Sequence, residues 1–235
     1  MLSFHSRVVG DIAVLECRGQ IVEGRQSASL LQHVDDLLAM HPHVLLHLGA
    51  IDFIDSSGVG LLVRVLTRTH LAYGKLALCA VSTKIREVLT VTRLYSIFDA
   101  YDAEAEAIAA FYRRPTGDDS AFRQPSILCV DKSPDVLAYV RALLRQAGHA
   151  VVTTGNLPDA LILLTATRPK LVVIGADLRA MRETQAAGTF NRLADALSVI
   201  ELPGHFSTDD AGEAGPQLLA QVGAIIAMPD GQAAM

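Results

Sequence analysis

The residues best placed to do chemistry in this chain are Asp55-Ser56-Ser57-Gly58, inside Phe53-Ile54-Asp55-Ser56-Ser57-Gly58-Val59-Gly60. Serine hydroxyls at a helix start lie beside unpaired backbone N–H groups and the positive end of the helix dipole. An added phosphate is tolerated there, so one of these serines can act as a switch with little damage to the fold. Taken alone, the tetrapeptide is also an ordinary helix cap, since Asp and Ser are common N-cap residues.

Two apolar runs frame it. Val44-Leu45-Leu46-His47-Leu48 reads as a strand, and the helix over 57–72 carries Val59, Leu61, Leu62, Val63, Val65 and Leu66. On a helical wheel these span an arc of roughly 200°, about twice the stripe a surface helix usually buries. Either neighbouring helices cover the excess or part of it is a docking surface beside the serines. Arg64, Thr67 and Arg68 fill the remaining arc.

Strand and helix alternate through the first half. Residues 2–9 and 11–18 read as strands paired around Gly10-Asp11, with a helix at 26–40. Strands follow at 43–48 and 75–81, then a helix capped by Ser82, a short strand near 97–101 and a helix over 103–112. That pattern implies an α/β fold with a mixed or mainly parallel sheet. In the second half, strands are expected at 126–130, 150–154, 171–175, 198–202 and 224–228. Helices are expected at 134–147, 158–167, 182–196 and 211–222. Five short strands with intervening helices suggest a small doubly wound domain. The polar stretch 113–125, with Pro115, Gly117 and Pro125, is the expected linker, which divides the chain into 1–112 and 126–235.

Composition narrows the function. At 235 residues with 51% hydrophobic side chains and no Trp, the chain has material for two aliphatic cores. The net charge is −5 and no basic stripe occurs, which argues against nucleic acid as a partner. No apolar run approaches the roughly 18 residues of a membrane span. With no signal peptide at the start, a cytoplasmic protein is expected. Cys17, Cys79 and Cys129 sit singly in apolar strands and read as small buried hydrophobes of a reducing compartment. His43 and His47 are expected on one exposed strand face, about 13 Å apart, so neither they nor His41 suggest a metal. No P-loop, GxSxG elbow or Ser-x-x-Lys pair occurs. Neither an enzyme nor a cofactor is expected.

Residues 1–112 resemble a STAS domain of the anti-sigma factor antagonist family. The likeness rests on the order of elements, on Phe53 to Gly60, and on Gly74-Lys75-Leu76-Ala77-Leu78-Cys79-Ala80-Val81-Ser82. It implies that Ser56 is phosphorylated by a partner anti-sigma factor that is also a serine kinase. It implies too that the unmodified form binds this partner and that phosphorylation ends the binding. Asp55, Ser56, Ser57, Gly58, Arg64 and Arg68 are the expected partner-contacting residues, with Asp55 orienting the loop or capping the helix. The alternative is a non-catalytic STAS scaffold of a stress-sensing complex.

Residues 126–235 resemble the receiver domain of response regulators, through Ile127-Leu128-Cys129-Val130-Asp131-Lys132-Ser133-Pro134 and Arg168-Pro169-Lys170-Leu171-Val172-Val173-Ile174. The resemblance places the phosphoacceptor at Gly175 and the second metal-binding acid at Lys132, leaving Asp131 as the remaining acid. The hydroxyl position falls on Pro203 and the final lysine on Met228. Such a pocket lacks the groups phosphoryl transfer requires, so a pseudo-receiver is expected, with Lys132 pairing with Asp131 to close the pocket. Asp177 is a poor substitute acceptor. With little chain left after Pro229, the sheet face normally covered by the last helix is expected to be bare unless something else covers it, the candidates being the first half of the chain or, in a homodimer through this half, a second copy.

Overall fold

The computed structural model describes residues 1–113, 126–181, 184–203, 206 and 211–226. The chain divides into two compact units, Met1–Phe111 and Tyr112–Met235.

In the first unit, β1 (Ser3–Val9) and β2 (Ile12–Ile21) form an antiparallel hairpin. Gly10 takes φ +65° at its tip, a conformation glycine adopts without a Cβ penalty. Parallel pairing then adds β3 (His43–Ile54), β4 (Leu76–Cys79) and β5 (Asp99–Tyr101), giving the order β1-β2-β3-β4-β5. The helices α1 (Arg25–Leu38), α2 (Ser56–Leu71) and α3 (Thr83–Val91) make the crossovers. Their apolar stripes bury Leu30, Val34, Leu61, Leu62, Val65, Ile85 and Leu89 against Leu15, Leu46 and Leu78. The sheet is mixed, as the alternation of strands and helices implies.

Two features differ from the sequence reading here, the length of β3 and the burial of His43. β3 runs six residues beyond Leu48, to Ile54, because register shifts near Glu16–Arg18 and Gly19–Gln20 let it continue past Gly49-Ala50. Those glycine and alanine residues break the apolar run without ending the strand. The wide apolar arc of α2 is largely covered. This is the first of the two outcomes the sequence leaves open: Val59, Leu61, Leu62 and Val65 are buried, and Val63 and Leu66 pack partly against the same core.

His43, expected to be exposed, is 4% exposed. Alternation along β3 turns it away from Val44 and toward α4 (Glu104–Tyr112), where its ring meets Phe111 at 5.6 Å between centroids. Its Nδ1 accepts the Lys75 N–H at 3.2 Å. Burial first, and then nearby Lys75, hold its pKa below the ordinary 6.5, with Asp11 pulling the other way. The unfolded chain therefore takes up this proton more readily than the folded one. The stability that neutral His43 contributes is complete above about pH 6.5 and is lost as the pH falls below it. Thermal melts between pH 7.5 and 5 should show this loss, at no more than about 1.4 kcal/mol per pH unit. His43→Gln should flatten the profile in that window. An unchanged profile would contradict the assignment.

The second unit holds a parallel sheet of β6 (Ile127–Val130), β7 (Val151–Thr154), β8 (Leu171–Gly175) and β9 (Ser198–Leu202), in the order β7-β6-β8-β9. Its helices are α5 (Pro134–Gln146), α6 (Leu157–Thr167), α7 (Ala176–Ala180), α8 (Gln185–Ala194) and α9 (Ala211–Ile226). Ser133, Asn156 and Thr184 cap α5, α6 and α8 through their side-chain oxygens.

Among the described residues the sheet has four strands, not five. The strand expected at 224–228 is overturned over 224–226, which are the last turn of α9; 227 and 228 lie outside the described residues. Leu218, Leu219, Val222, Ile225 and Ile226 form one helical stripe against the core, and a short window at its end looks like a strand. Of the helix expected over 182–196, Gln185–Ala194 forms α8, while 182 and 183 lie outside the described residues; the separate short α7 before it was not signalled by the sequence.

The bare sheet face is overturned as well. α9 packs beside α5, and Leu218 and Val222 join Val136, Val140 and Leu144 over Ile127, Val173 and Ile200. The homodimer expectation rested on that face and loses its support.

Cys17, Cys79 and Cys129 are free and buried, as expected, and burial pushes each thiol up to about 12. Among the described residues, no helix is long and apolar enough to cross a membrane.

Candidate functional site

The end of β3 delivers Asp55 in extended conformation at the N-cap of α2, with φ −98° and ψ −177°. Its Oδ1 accepts the Gly58 N–H at 2.7 Å, satisfying one of the free donors of the first turn. Gly58 is buried for a different reason. A Cβ there would run into the Ile21 carbonyl oxygen and come within 2.7 Å of Ile54 Cγ1. That carbonyl also accepts the Asp55 N–H at 3.3 Å. The missing side chain lets the head of α2 lie against the paired ends of β2 and β3.

Ser56 is thereby the first helical residue and is exposed; Ser57 follows, half-buried. Both line a groove of about 420 Å³ between α1 and α2, with Glu23, Gly24, Ser27, Ala28, Leu31, Gly60 and Arg64. Phe53, just before the turn, is 51% exposed. Arg64 is exposed, and among the described residues it forms no ion pair. Arg68, one turn on, is held by the Asp35 carboxylate of α1. Asp55, Ser56, Ser57, Gly58 and Arg64 thus come together, while Arg68 is tied to α1. Glu23 and Asp35 were not legible as neighbours. They reach the site only through the packing of α1 on α2, which leaves no local signal.

A second pocket, about 350 Å³, opens at the carboxyl ends of β6, β8 and β9. It is lined by Asp131, Lys132, Ser133, Asp135, Gly175, Asp177, Pro203 and Phe206, among others. Four of the five expected positions converge there; Met228 lies outside the described residues. The expected Asp131–Lys132 pair is not formed. Lys132 is exposed, and Asp131 Oδ1 instead accepts the Ser133 N–H at 2.8 Å. The other carboxylate oxygen fills the space that a side chain at position 175 would need. Among the described residues, no group of three His, Cys, Asp or Glu side chains is placed to hold a metal.

The STAS domain family model matches residues 3–107. The Bordetella bronchiseptica protein BtrV, provisionally named an anti-sigma factor antagonist, is 34% identical over 68 residues, which are 29% of this chain and 59% of that protein. The chain therefore spans less than two thirds of that relative. The anti-sigma F factor antagonist of Paenibacillus polymyxa is 28% identical over 94 residues, 36% of this chain and 80% of that one. Among solved structures, a provisionally named anti-sigma factor antagonist of Thermotoga maritima is 26% identical. It covers 47% of this chain and 95% of its own, at a TM-score of 0.42.

Proposed function

With a STAS domain at residues 3–107, we propose that this protein is an anti-sigma factor antagonist switched by phosphorylation of Ser56. Unmodified, it binds an anti-sigma factor that is also a serine kinase; modified, it lets go. The observation that carries the reading is the placement of one exposed hydroxyl at the first residue of α2. Asp55 fixes the turn from one side and Gly58 from the other. A phosphate there meets helix N–H groups and the dipole, so the domain survives it. Beside Asp55 and Glu23, the added charge of about −1.5 to −2 falls on the docking surface instead. The names of the curated relatives support this role.

The test is capture from native extract with Ser56→Ala and Ser56→Asp as baits, followed by mass spectrometry of partners and of Ser56. The alanine bait should retain the kinase and the aspartate bait should lose it. Equal capture by both baits would favour a STAS scaffold whose loop is not a switch.

The second unit is read as a pseudo-receiver that accepts no phosphoryl group. Gly175 has no side chain, and the Asp131 carboxylate fills its space. Gly175→Asp should not restore an acceptor. The new carboxylate would be forced against Asp131, costing on the order of 1–3 kcal/mol. No acid-labile phosphate should appear with a small acyl phosphate donor. Stoichiometric acid-labile modification of the variant would contradict this reading.

A further inference from the structure

The groove beside Ser56 contains an unused cation. Arg64 lines it together with Ser56 and Ser57, is exposed, and makes no ion pair among the described residues. Arg68, the next arginine along α2, is already committed to Asp35. Between the serines and Arg64 stands Gly60, where a Cβ would meet nothing within 4 Å. The path from Arg64 toward the head of the helix is therefore open.

Eight residues of helix separate Ser56 from Arg64, about 12 Å along the axis. Helical side chains lean toward the N-terminus. Arg64 therefore leans toward the helix head while the Ser56 side chain leans away from it, so the two charges face one another across Gly60 at long range rather than in direct contact. Apart from Arg64, the charged residue that lines the groove is Glu23, with Arg25 following Gly24 at the start of α1. Asp55 Oδ1 is engaged by the Gly58 N–H, and Glu23 lies across the groove on the chain leading into α1.

We propose that Arg64 is the intrachain counter-ion of phosphorylated Ser56, a latch that closes across Gly60 when the phosphate is added. The inference rests on the switch reading above and deepens it. Phosphorylation then changes the docking surface twice: it adds negative charge at Ser56 and withdraws the one free arginine among the described residues of the groove. An arginine suits the task because its guanidinium stays charged at any pH and its long side chain reaches toward the head of the helix.

The test uses the full chain with phosphoserine installed at position 56 during translation, so neither kinase nor partner is needed. Phosphorus NMR titration reads the second pKa of the phosphate, about 6 for an unconstrained phosphoserine. At low salt, Arg64→Gln should raise that pKa by about half a unit or more relative to the arginine form. Arg64→Lys should recover most of the difference. Arg68→Gln, with its arginine already paired, should leave the value unchanged. The Arg64 difference should shrink at high salt, where an exposed pair is screened. Equal pKa values in the arginine and glutamine forms would overturn the latch. That result leaves the switch standing if the Ser56→Ala and Ser56→Asp baits still differ. Conversely, equal baits with a shifted phosphate would remove the switch and leave the latch as a property of the groove.

Discussion

Gly58→Ala is expected to destabilise the first unit by about 2 kcal/mol, whereas Gly60→Ala, two residues on, is expected to stabilise it slightly. Both glycines lie in α2, where alanine has the better intrinsic propensity by up to about 1 kcal/mol. Their surroundings decide the sign. At 58 a methyl group would meet the Ile21 carbonyl, which is backbone held in the β2–β3 ladder and cannot swing aside. Overpacking of this kind costs roughly 1–3 kcal/mol, and an immovable neighbour puts the cost toward the upper end. At 60 a Cβ has free space, so only the propensity gain remains. Urea unfolding of the full chain, followed by a probe in the first unit, measures both. If both variants prove more stable than the parent, the close approach of α2 to β2 is wrong. The placement of Ser56 would fall with it.

How much of this was legible in the sequence follows from where the information sits. The cap, the exposed hydroxyl and the glycine are local features of one turn, and they can be read from residue types and spacing. The strand–helix alternation of the first unit was legible because its apolar runs are bounded by turn residues and caps such as Gly10 and Ser82. What escaped depends on packing between distant segments. Asp35 meets Arg68 only because α1 lies beside α2. His43 is buried because α4, more than sixty residues later, returns to cover that face. The end of α9 was misread because Val222 to Ile226 is a short apolar window that fits a strand as well as the end of a helical stripe. Only the preceding Leu218 and Leu219 distinguish them. The occupation of the Gly175 site by Asp131 was likewise invisible, being a matter of side-chain direction.

The second large effect is on association. Ser56→Asp should weaken binding of the recovered kinase partner at least tenfold, or about 1.4 kcal/mol, with no loss of fold stability. A carboxylate at the first helical position is favourable toward the helix dipole, by roughly 0.3–1 kcal/mol. The variant should therefore melt at or above the parent temperature. Weaker binding then cannot be ascribed to unfolding. Ser56→Ala removes an exposed hydroxyl and the only atom to which phosphate can attach at that position. It should bind in all conditions, including after incubation of the complex with ATP and Mg²⁺, which should release the parent protein.

The most direct measurement is a calorimetric titration of that partner against the parent, Ser56→Ala and Ser56→Asp proteins, with melting curves recorded on the same samples. The account predicts similar affinity for the first two and at least a tenfold loss for the third, with all three folded. Indistinguishable affinities across the three folded proteins would contradict it.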